Sequence, residues 1–197
     1  VSNKVTVTGY LGLESGGKRL AVADGGTLEM TGSSVNLHAG YGGGTSLVEV
    51  LTGGVFRVGS GINAMIGMNG CSTTFRVNGG EAVIASGGQF SLGSGTPAGT
   101  GTVELIAGTL KTSRQITLGS GAGAVAFNGG TLQSDGANSY DPWVAAAIPV
   151  TINAGGGAVD TLGLAMTLGS AGIGGAGVLT QTGGGSLLFG TPSTNWT

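Results

Sequence analysis

Hydrophobic and polar residues alternate in short runs along most of the chain, and glycines separate the runs. The last glycine before one such run per unit serves as an anchor, and the anchors are Gly26, Gly54, Gly80, Gly108, Gly130, Gly157 and Gly185. Two positions after each anchor lies an apolar residue: Leu28, Phe56, Ala82, Leu110, Leu132, Val159 and Leu187. Alternation with a period of two predicts a β-strand with one buried face. We therefore expect the larger of these apolar residues to point into a core.

Two further alternating runs occur in each unit, for example Val103-Glu104-Leu105 and Phe90-Ser91-Leu92. Each unit of roughly 27 residues therefore holds three short strands, and strands that recur once per unit align in parallel, about 4.8 Å apart. Crossover connections between parallel strands are normally right-handed. The pattern predicts an all-β fold, a three-sided right-handed parallel β-helix of about seven to eight rungs.

One segment interrupts this pattern and divides the chain. We expect an N-terminal partial rung at 1–18, β-helix repeats at 19–133, a projecting loop at 134–149 and C-terminal β-helix repeats at 150–197. The loop carries two of the four prolines together with Asp135, Tyr140, Asp141 and Trp143. Insertions in solenoids collect on one edge, which is often the binding edge.

Composition and charge limit which kinds of partner the protein can bind. The 197 residues include 45 glycines and are 8% charged, with seven basic and nine acidic side chains and a net charge of −2. We therefore expect no nucleic-acid partner, and no segment is apolar enough for a membrane span. The single cysteine, Cys71, excludes an internal disulfide and a thiolate metal site. No signal-peptide pattern precedes the first strand, which suggests a piece of something longer.

Catalytic constellations are not apparent in the sequence. His38 is the only histidine and is expected at the surface, and Cys71 has no partner residues for a thiol protease. Asp135 and Asp141 are the only acids that lie close together in the loop. The glycine-rich run at 172–177 fits a nucleotide-binding pattern formally but precedes another predicted strand rather than a helix. We expect no enzyme activity, no cofactor and no bound metal.

Two sets of residues are candidates for a role on the surface. Tyr41, Tyr140 and Trp143 are aromatic and lie on turns or in the loop, where they could contact a glycan or a protein partner. In the loop, Tyr140 and Trp143 have an alternative role as a lid over the core. Glu49, Arg76 and Glu104 recur at one-unit spacing on outward positions, which predicts an exposed ladder of alternating charges worth about 0–1 kcal/mol per pair.

The C-terminal part resembles the autotransporter-associated β-strand repeat family of bacterial β-helix passengers. The segments that carry the resemblance are 151–161, 175–190 and 195–197, and 125–133 is similar to companion repeats of that family. Gln181 stands where the family usually has Lys, Leu188 where it has a polar residue, and Trp196 where it has Tyr. The resemblance implies a stalk or spacer of a secreted protein on the extracellular or outer-membrane surface of a bacterium, with no catalytic residues.

The ends of the chain suggest a further partner. Residues 161–197 carry no charge, and neither end of the predicted solenoid has a polar cap. We therefore expect further covalent rungs, or copies that stack end to end into an extracellular fibre. A glycan- or host-binding adhesin module that uses the projecting loop edge is the alternative function.

Overall fold

The computed structural model describes residues 3–14, 17–32, 36–136 and 143–190, apart from the side chain of Ser170. The regular secondary structure in these ranges consists entirely of β-strands. The strands are β1 (Lys4–Val7), β2 (Leu11–Glu14), β3 (Lys18–Val22), β4 (Thr27–Met30), β5 (Asn36–Tyr41), β6 (Gly44–Leu51), β7 (Val55–Val58), β8 (Asn63–Met68), β9 (Cys71–Ile84), β10 (Phe90–Ser94), β11 (Thr100–Thr112), β12 (Ile116–Leu118), β13 (Ala122–Phe127), β14 (Thr131–Gln133), β15 (Val144–Ile152), β16 (Gly157–Asp160), β17 (Ala165–Gly174), β18 (Leu179–Thr182) and β19 (Ser186–Phe189).

The strands pair in parallel and form three ladders around a common core. The first ladder joins β1, β4, β7, the end of β9, the end of β11, β14, β16 and β18. The second joins β2, β5, β8, β10, β12, the start of β15, the start of β17 and β19. The third joins β3, β6, the start of β9, the start of β11, β13, the end of β15 and the end of β17. The predicted all-β, three-sided parallel solenoid is thereby confirmed.

Within the described residues the first and second ladders each contain eight strand segments and the third contains seven. Two rungs are incomplete. In the rung that contains β14, the second ladder is represented by Val144 alone, which pairs with Ile116. The rung of β18 and β19 has no strand of the third ladder within the described residues.

The residues up to 18 were expected to form a partial rung, and the described ones contain β1, β2 and the first residue of β3, Lys18. The projecting loop was expected to extend to residue 149, yet β15 already begins at Val144.

The core is built from the inward positions of all three ladders. Five of the six larger residues two positions after an anchor are buried, as predicted: Leu28, Phe56, Leu110, Leu132 and Val159. The sixth, Leu187, is only partly buried because it lies in the last described rung. At the centre Phe56, Phe75 and Phe90, one from each ladder, pack with ring centroids 5.8 and 6.4 Å apart. Each such side chain contributes about 1.5–3 kcal/mol from burial.

Glycine pairs form the corner before the first ladder, and each member has its own function. Gly53 has a φ of +74°, a conformation that an L side chain rarely adopts. Gly54 lies so close to the preceding rung that a Cβ atom there would come within 2.2 Å of the carbonyl oxygen of Val22. The pair therefore turns the chain and allows the rungs to approach each other.

A buried arginine fills the corner between the first and second ladders. The guanidinium of Arg114 donates hydrogen bonds to the carbonyl oxygens of Ile62, Gln89, Gly59 and Ser86, at 2.5, 3.2, 3.2 and 3.2 Å. A side chain on Gly88 would collide with the guanidinium, since its Cβ would lie 2.8 Å from Nη1. Arg114 thus ties its own corner to the corners of the two preceding rungs.

Candidate functional site

Alternating charges lie on the outer side of the third ladder. The register aligns Glu49 with Arg76 and Arg76 with Glu104. Arg76 Nε lies 2.7 Å from Glu104 Oε2 and Arg76 Nη1 lies 3.5 Å from Glu49 Oε1. Arg19, which the sequence analysis did not include, extends this charge stack by contacting Glu49 Oε2 at 2.7 Å.

One member of the charge stack is buried rather than exposed. Glu49 retains only 5% of its accessible surface, because Arg19 and Arg76 cover it from the neighbouring rungs. The hydrogen bond from Arg19 is the main cause of a pKa of Glu49 below its usual value, and burial of the carboxylate opposes this shift. The expectation of a uniformly exposed ladder was therefore wrong at Glu49. The charges of the stack neutralise each other in pairs, which indicates a structural role.

Aromatic side chains cluster on the outer side of the second ladder near its N-terminal end. The Tyr10 hydroxyl lies 3.1 Å from His38 Nδ1, with the two rings perpendicular and their centroids 4.8 Å apart. The rings of His38 and Tyr41 are nearly parallel, at 8°, with centroids 6.0 Å apart. Tyr10 is 47% exposed and Tyr41 is 38% exposed, whereas His38 is half-buried between them.

Local sequence explains how this aromatic cluster forms. Tyr10 precedes β2, and its ring lies over Gly12, where a Cβ atom would be 2.3 Å from the ring. His38 and Tyr41 belong to β5, in which His38 aligns with Gly12 and Tyr41 aligns with Glu14. The absence of a side chain at Gly12 therefore gives the Tyr10 ring its place beside His38.

The electrostatics of the cluster favour neutral rings at pH 7. Burial lowers the pKa of His38, and the nearby Glu14 carboxylate opposes that shift. Among the described residues, the buried Nε2 atom of His38 has no hydrogen-bond partner, so a proton there would be poorly solvated. Burial also raises the pKa of Tyr10, and the charge of Glu14 and a hydrogen bond with it add to this effect.

Amide side chains follow the same face into the next rungs. Asn36 aligns with Asn63 in the neighbouring strand, and Gln89 comes directly before the following strand, β10. The backbone N–H of Gln89 donates a hydrogen bond to Asn63 Oδ1 at 2.9 Å. We call Tyr10, Glu14, Asn36, His38, Tyr41, Asn63 and Gln89 together the aromatic–amide face.

The structure overturns one of the three predicted aromatic contacts, Trp143, and leaves another, Tyr140, untested. Trp143 is 1% exposed and its indole Nε1 donates a hydrogen bond to the carbonyl oxygen of Arg114, so it is a core residue and not a platform for a glycan. Tyr140 lies outside the described residues. Tyr41 is exposed as expected, and its neighbours are Tyr10 and His38, which sequence reasoning did not connect with it.

The remaining candidates for chemistry are not brought together. Cys71 is buried, with its sulfur 3.5 Å from Thr73 Oγ1 and 3.7 Å from Ser46 Oγ. No cluster of three or more His, Cys, Asp or Glu side chains suited to a metal ion occurs in the described part of the chain. Asp135 is described but Asp141 is not, so an acid pair in the loop stays untested. Within the described ranges no helix has the length and hydrophobicity to cross a membrane.

Comparison of the chain with known protein families, with curated proteins and with solved structures found no match.

Proposed function

We propose that this chain is a structural stalk or spacer segment of a secreted bacterial surface protein, similar to an autotransporter passenger, and that it is not an enzyme. The observation that carries the proposal is the continuous stack: each rung pairs in parallel with the next, from β1 to β19, around one hydrophobic core, with local register shifts in four of the strand pairs. A stack of this kind gains about 4.8 Å in length for every rung. The backbone pairing between rungs sets this length, whichever side chains point outward.

The charged side chains support a structural role. On the third ladder, the carboxylates of Glu49 and Glu104 face the guanidinium of Arg76 instead of converging on a cleft. On the first ladder, Arg57 contacts Glu81 at 3.0 Å. Groups neutralised in this way contribute to cohesion between rungs, and they are poorly placed to act as general acids or bases.

The edges of the outermost strands support continuation of the stack. Among the described residues, β1, β2 and β3 each pair on one side only, with β4, β5 and β6. At the other end β18 and β19 pair only with β16 and β17. Unpaired strand edges are templates for further strands. We propose that further rungs of the same polypeptide, or a second copy stacked end to end into a fibre, satisfy them.

The surface location rests on the resemblance of 151–161 and 175–190 to the autotransporter-associated repeat. The structure is compatible with it, since these segments lie in or beside β15, β16, β18 and β19 of the solenoid.

A display experiment tests the spacer role. The chain would be anchored to the outer membrane of a bacterium that carries long lipopolysaccharide, with an antibody epitope fused to its N-terminal side. Duplication of residues 55–108 adds two rungs and preserves the alternation of Arg76 and Glu104, since each copy brings one of each. We expect antibody access to rise with the number of rungs and to be unaffected by Lys111→Gln on the outer surface. Access that is independent of rung number would contradict a spacer role.

A further inference from the structure

The aromatic–amide face presents exposed tyrosines on two neighbouring rungs, and folding alone does not account for their position. Tyr10 and Tyr41 keep 47% and 38% of their surface accessible, while Phe56, Phe75 and Phe90 of the same solenoid are buried. Aromatic rings are costly to leave in water and are common where one surface of the ring meets a ligand. The cluster is also ordered internally, because His38 contacts both tyrosines.

The arrangement of the rings discriminates between ligand classes. A cation such as a quaternary ammonium group requires aromatic rings that surround a common space. Here the His38 ring occupies the space between Tyr10 and Tyr41, with centroids 4.8 and 6.0 Å from theirs. The two tyrosine planes are nearly perpendicular to each other, because Tyr10 is perpendicular to His38 and Tyr41 is nearly parallel to it. Each exposed tyrosine is therefore suited to a different sugar ring, whose flat, weakly polar C–H surface stacks from outside.

The polar groups on the face match hydroxyl groups better than charges. Asn36 and Gln89 each supply a side-chain carbonyl acceptor and an NH₂ donor, and Asn63 supplies an NH₂ donor while its Oδ1 accepts the hydrogen bond from Gln89 N–H. They lie on successive rungs, so that the amides repeat about every 4.8 Å. Glu14, which hydrogen-bonds with Tyr10, places a negative charge beside Tyr41 and would repel an anionic ligand.

We infer that the aromatic–amide face is a binding site for a neutral, unbranched polysaccharide, which stacks on Tyr10 and Tyr41 and donates and accepts hydrogen bonds along Asn36, Asn63 and Gln89. The regular spacing of the amides favours a chain of repeating sugars. From the rung of Tyr10 to the rung of Gln89 the face spans about 14 Å, which fits an oligosaccharide rather than one sugar. This inference does not depend on the spacer role.

NMR offers a direct test, because His38 is the only histidine and its imidazole Cε1–H signal reports on the face alone. The intact chain would be titrated separately with cellohexaose, maltohexaose, chitohexaose and mannohexaose. Oligogalacturonate serves as an anionic probe and choline as a cationic one. We expect a saturable shift of the His38 signal with at least one neutral hexasaccharide, and no comparable shift with oligogalacturonate or choline.

Variants assign the binding to the two rings. Tyr41→Ala and Tyr10→Ala should each weaken the active hexasaccharide at least tenfold, while Tyr41→Phe, which keeps the ring, should weaken it less than threefold. Phe189→Ala is the matched control, since Phe189 is 44% exposed at the opposite end of the solenoid, and it should leave the affinity unchanged. Thermal melting would verify that each variant is folded.

Three results would overturn the inference. The first is the absence of a His38 shift with all four neutral hexasaccharides at about 10 mM. The second is equal or stronger binding of choline or oligogalacturonate. The third is a folded Tyr10→Ala, Tyr41→Ala double variant that binds the hexasaccharide as tightly as the unaltered chain.

Discussion

The indole Nε1 of Trp143 donates a hydrogen bond to the backbone carbonyl oxygen of Arg114, 3.0 Å away and one rung earlier. The backbone of Trp143 also joins neighbouring rungs, since its carbonyl accepts a hydrogen bond from Ile116 N–H and its N–H donates to the carbonyl of Thr167. In this rung Trp143 and Val144 therefore make the contacts between neighbouring rungs that a full strand of the second ladder makes elsewhere. The loop aromatic that the sequence offers as a ligand contact is instead part of the core.

We expect Trp143→Ala to lower the free energy of unfolding by about 3–5 kcal/mol, because it leaves a large cavity in a rung whose second ladder is reduced to a single paired residue. Trp143→Phe keeps most of the packing and loses one hydrogen bond, for a cost of about 1 kcal/mol. Urea denaturation followed by circular dichroism measures both. If Trp143→Ala were as stable as the unaltered chain, the residue could not be a core element.

Replacement of Arg114 tests the corner that it fills. Arg114→Met leaves four carbonyl oxygens without their charged donor, and we expect a loss of at least about 3 kcal/mol in the free energy of unfolding. Arg114→Lys should lose less, since an ammonium still donates to some of these oxygens. The control is Lys111→Met in the same rung, for which a change within about 0.5 kcal/mol is expected. Equal effects of Arg114→Met and Lys111→Met would exclude the proposed tie between rungs.

Glu49 gives the stability a defined pH dependence. Its pKa is lowered in the folded state, so its contribution is fully present above the unfolded value near 4.5 and is lost as the pH falls through the folded value. Denaturation at pH 7, 5, 4 and 3 should show a loss that begins below about pH 4.5.

The Glu49→Gln variant should be less stable at pH 7, by about 1.5–3 kcal/mol, and should lose less on acidification. Glu81→Gln, which alters an exposed pair with Arg57, should change the stability by no more than about 1 kcal/mol. Identical acid profiles for the unaltered chain and Glu49→Gln would show that another carboxylate dominates.

Two glycine substitutions test whether glycine is required only where neighbouring rungs approach each other closely. Gly54→Ala would place a Cβ atom 2.2 Å from the carbonyl oxygen of Val22, and we expect a cost of about 1–3 kcal/mol. Gly172→Ala meets no heavy atom within 4 Å and should change stability by no more than about 0.5 kcal/mol. Melting temperatures of the two variants provide the comparison, and a neutral Gly54→Ala would refute the packing of that corner.

The repeat determines how much of this fold can be predicted from sequence. Residues one unit apart stack on each other, so the inward position of Phe56 and the alignment of Glu49, Arg76 and Glu104 follow from spacing and alternation alone. The same spacing links Tyr10 to His38, 28 positions later. The pair was missed because the anchors begin at Gly26, so the partial rung at 1–18 was not aligned with the units that follow it.

Other features depend on where the repeat is irregular, and sequence periodicity carries no information there. The corner that contains Arg114 is two residues shorter than the corner one rung earlier, which has Gly87 and Gly88 in addition. Only the three-dimensional packing shows that the guanidinium occupies the space that Gly88 leaves. Similarly, the sequence of the loop does not reveal whether Trp143 faces solvent or the core.

A distance measurement across the solenoid tests the continuous, rigid stack on which the spacer role depends. Spin labels on cysteines introduced at Thr27 and Thr180, with Cys71→Ser, lie on one column of the first ladder separated by six rung steps. Pulsed electron–electron double resonance should give a narrow distribution that corresponds to a backbone separation of about 29 Å, and duplication of residues 55–108 should lengthen it by about 10 Å. A broad distribution, or no lengthening on duplication, would contradict a rigid spacer.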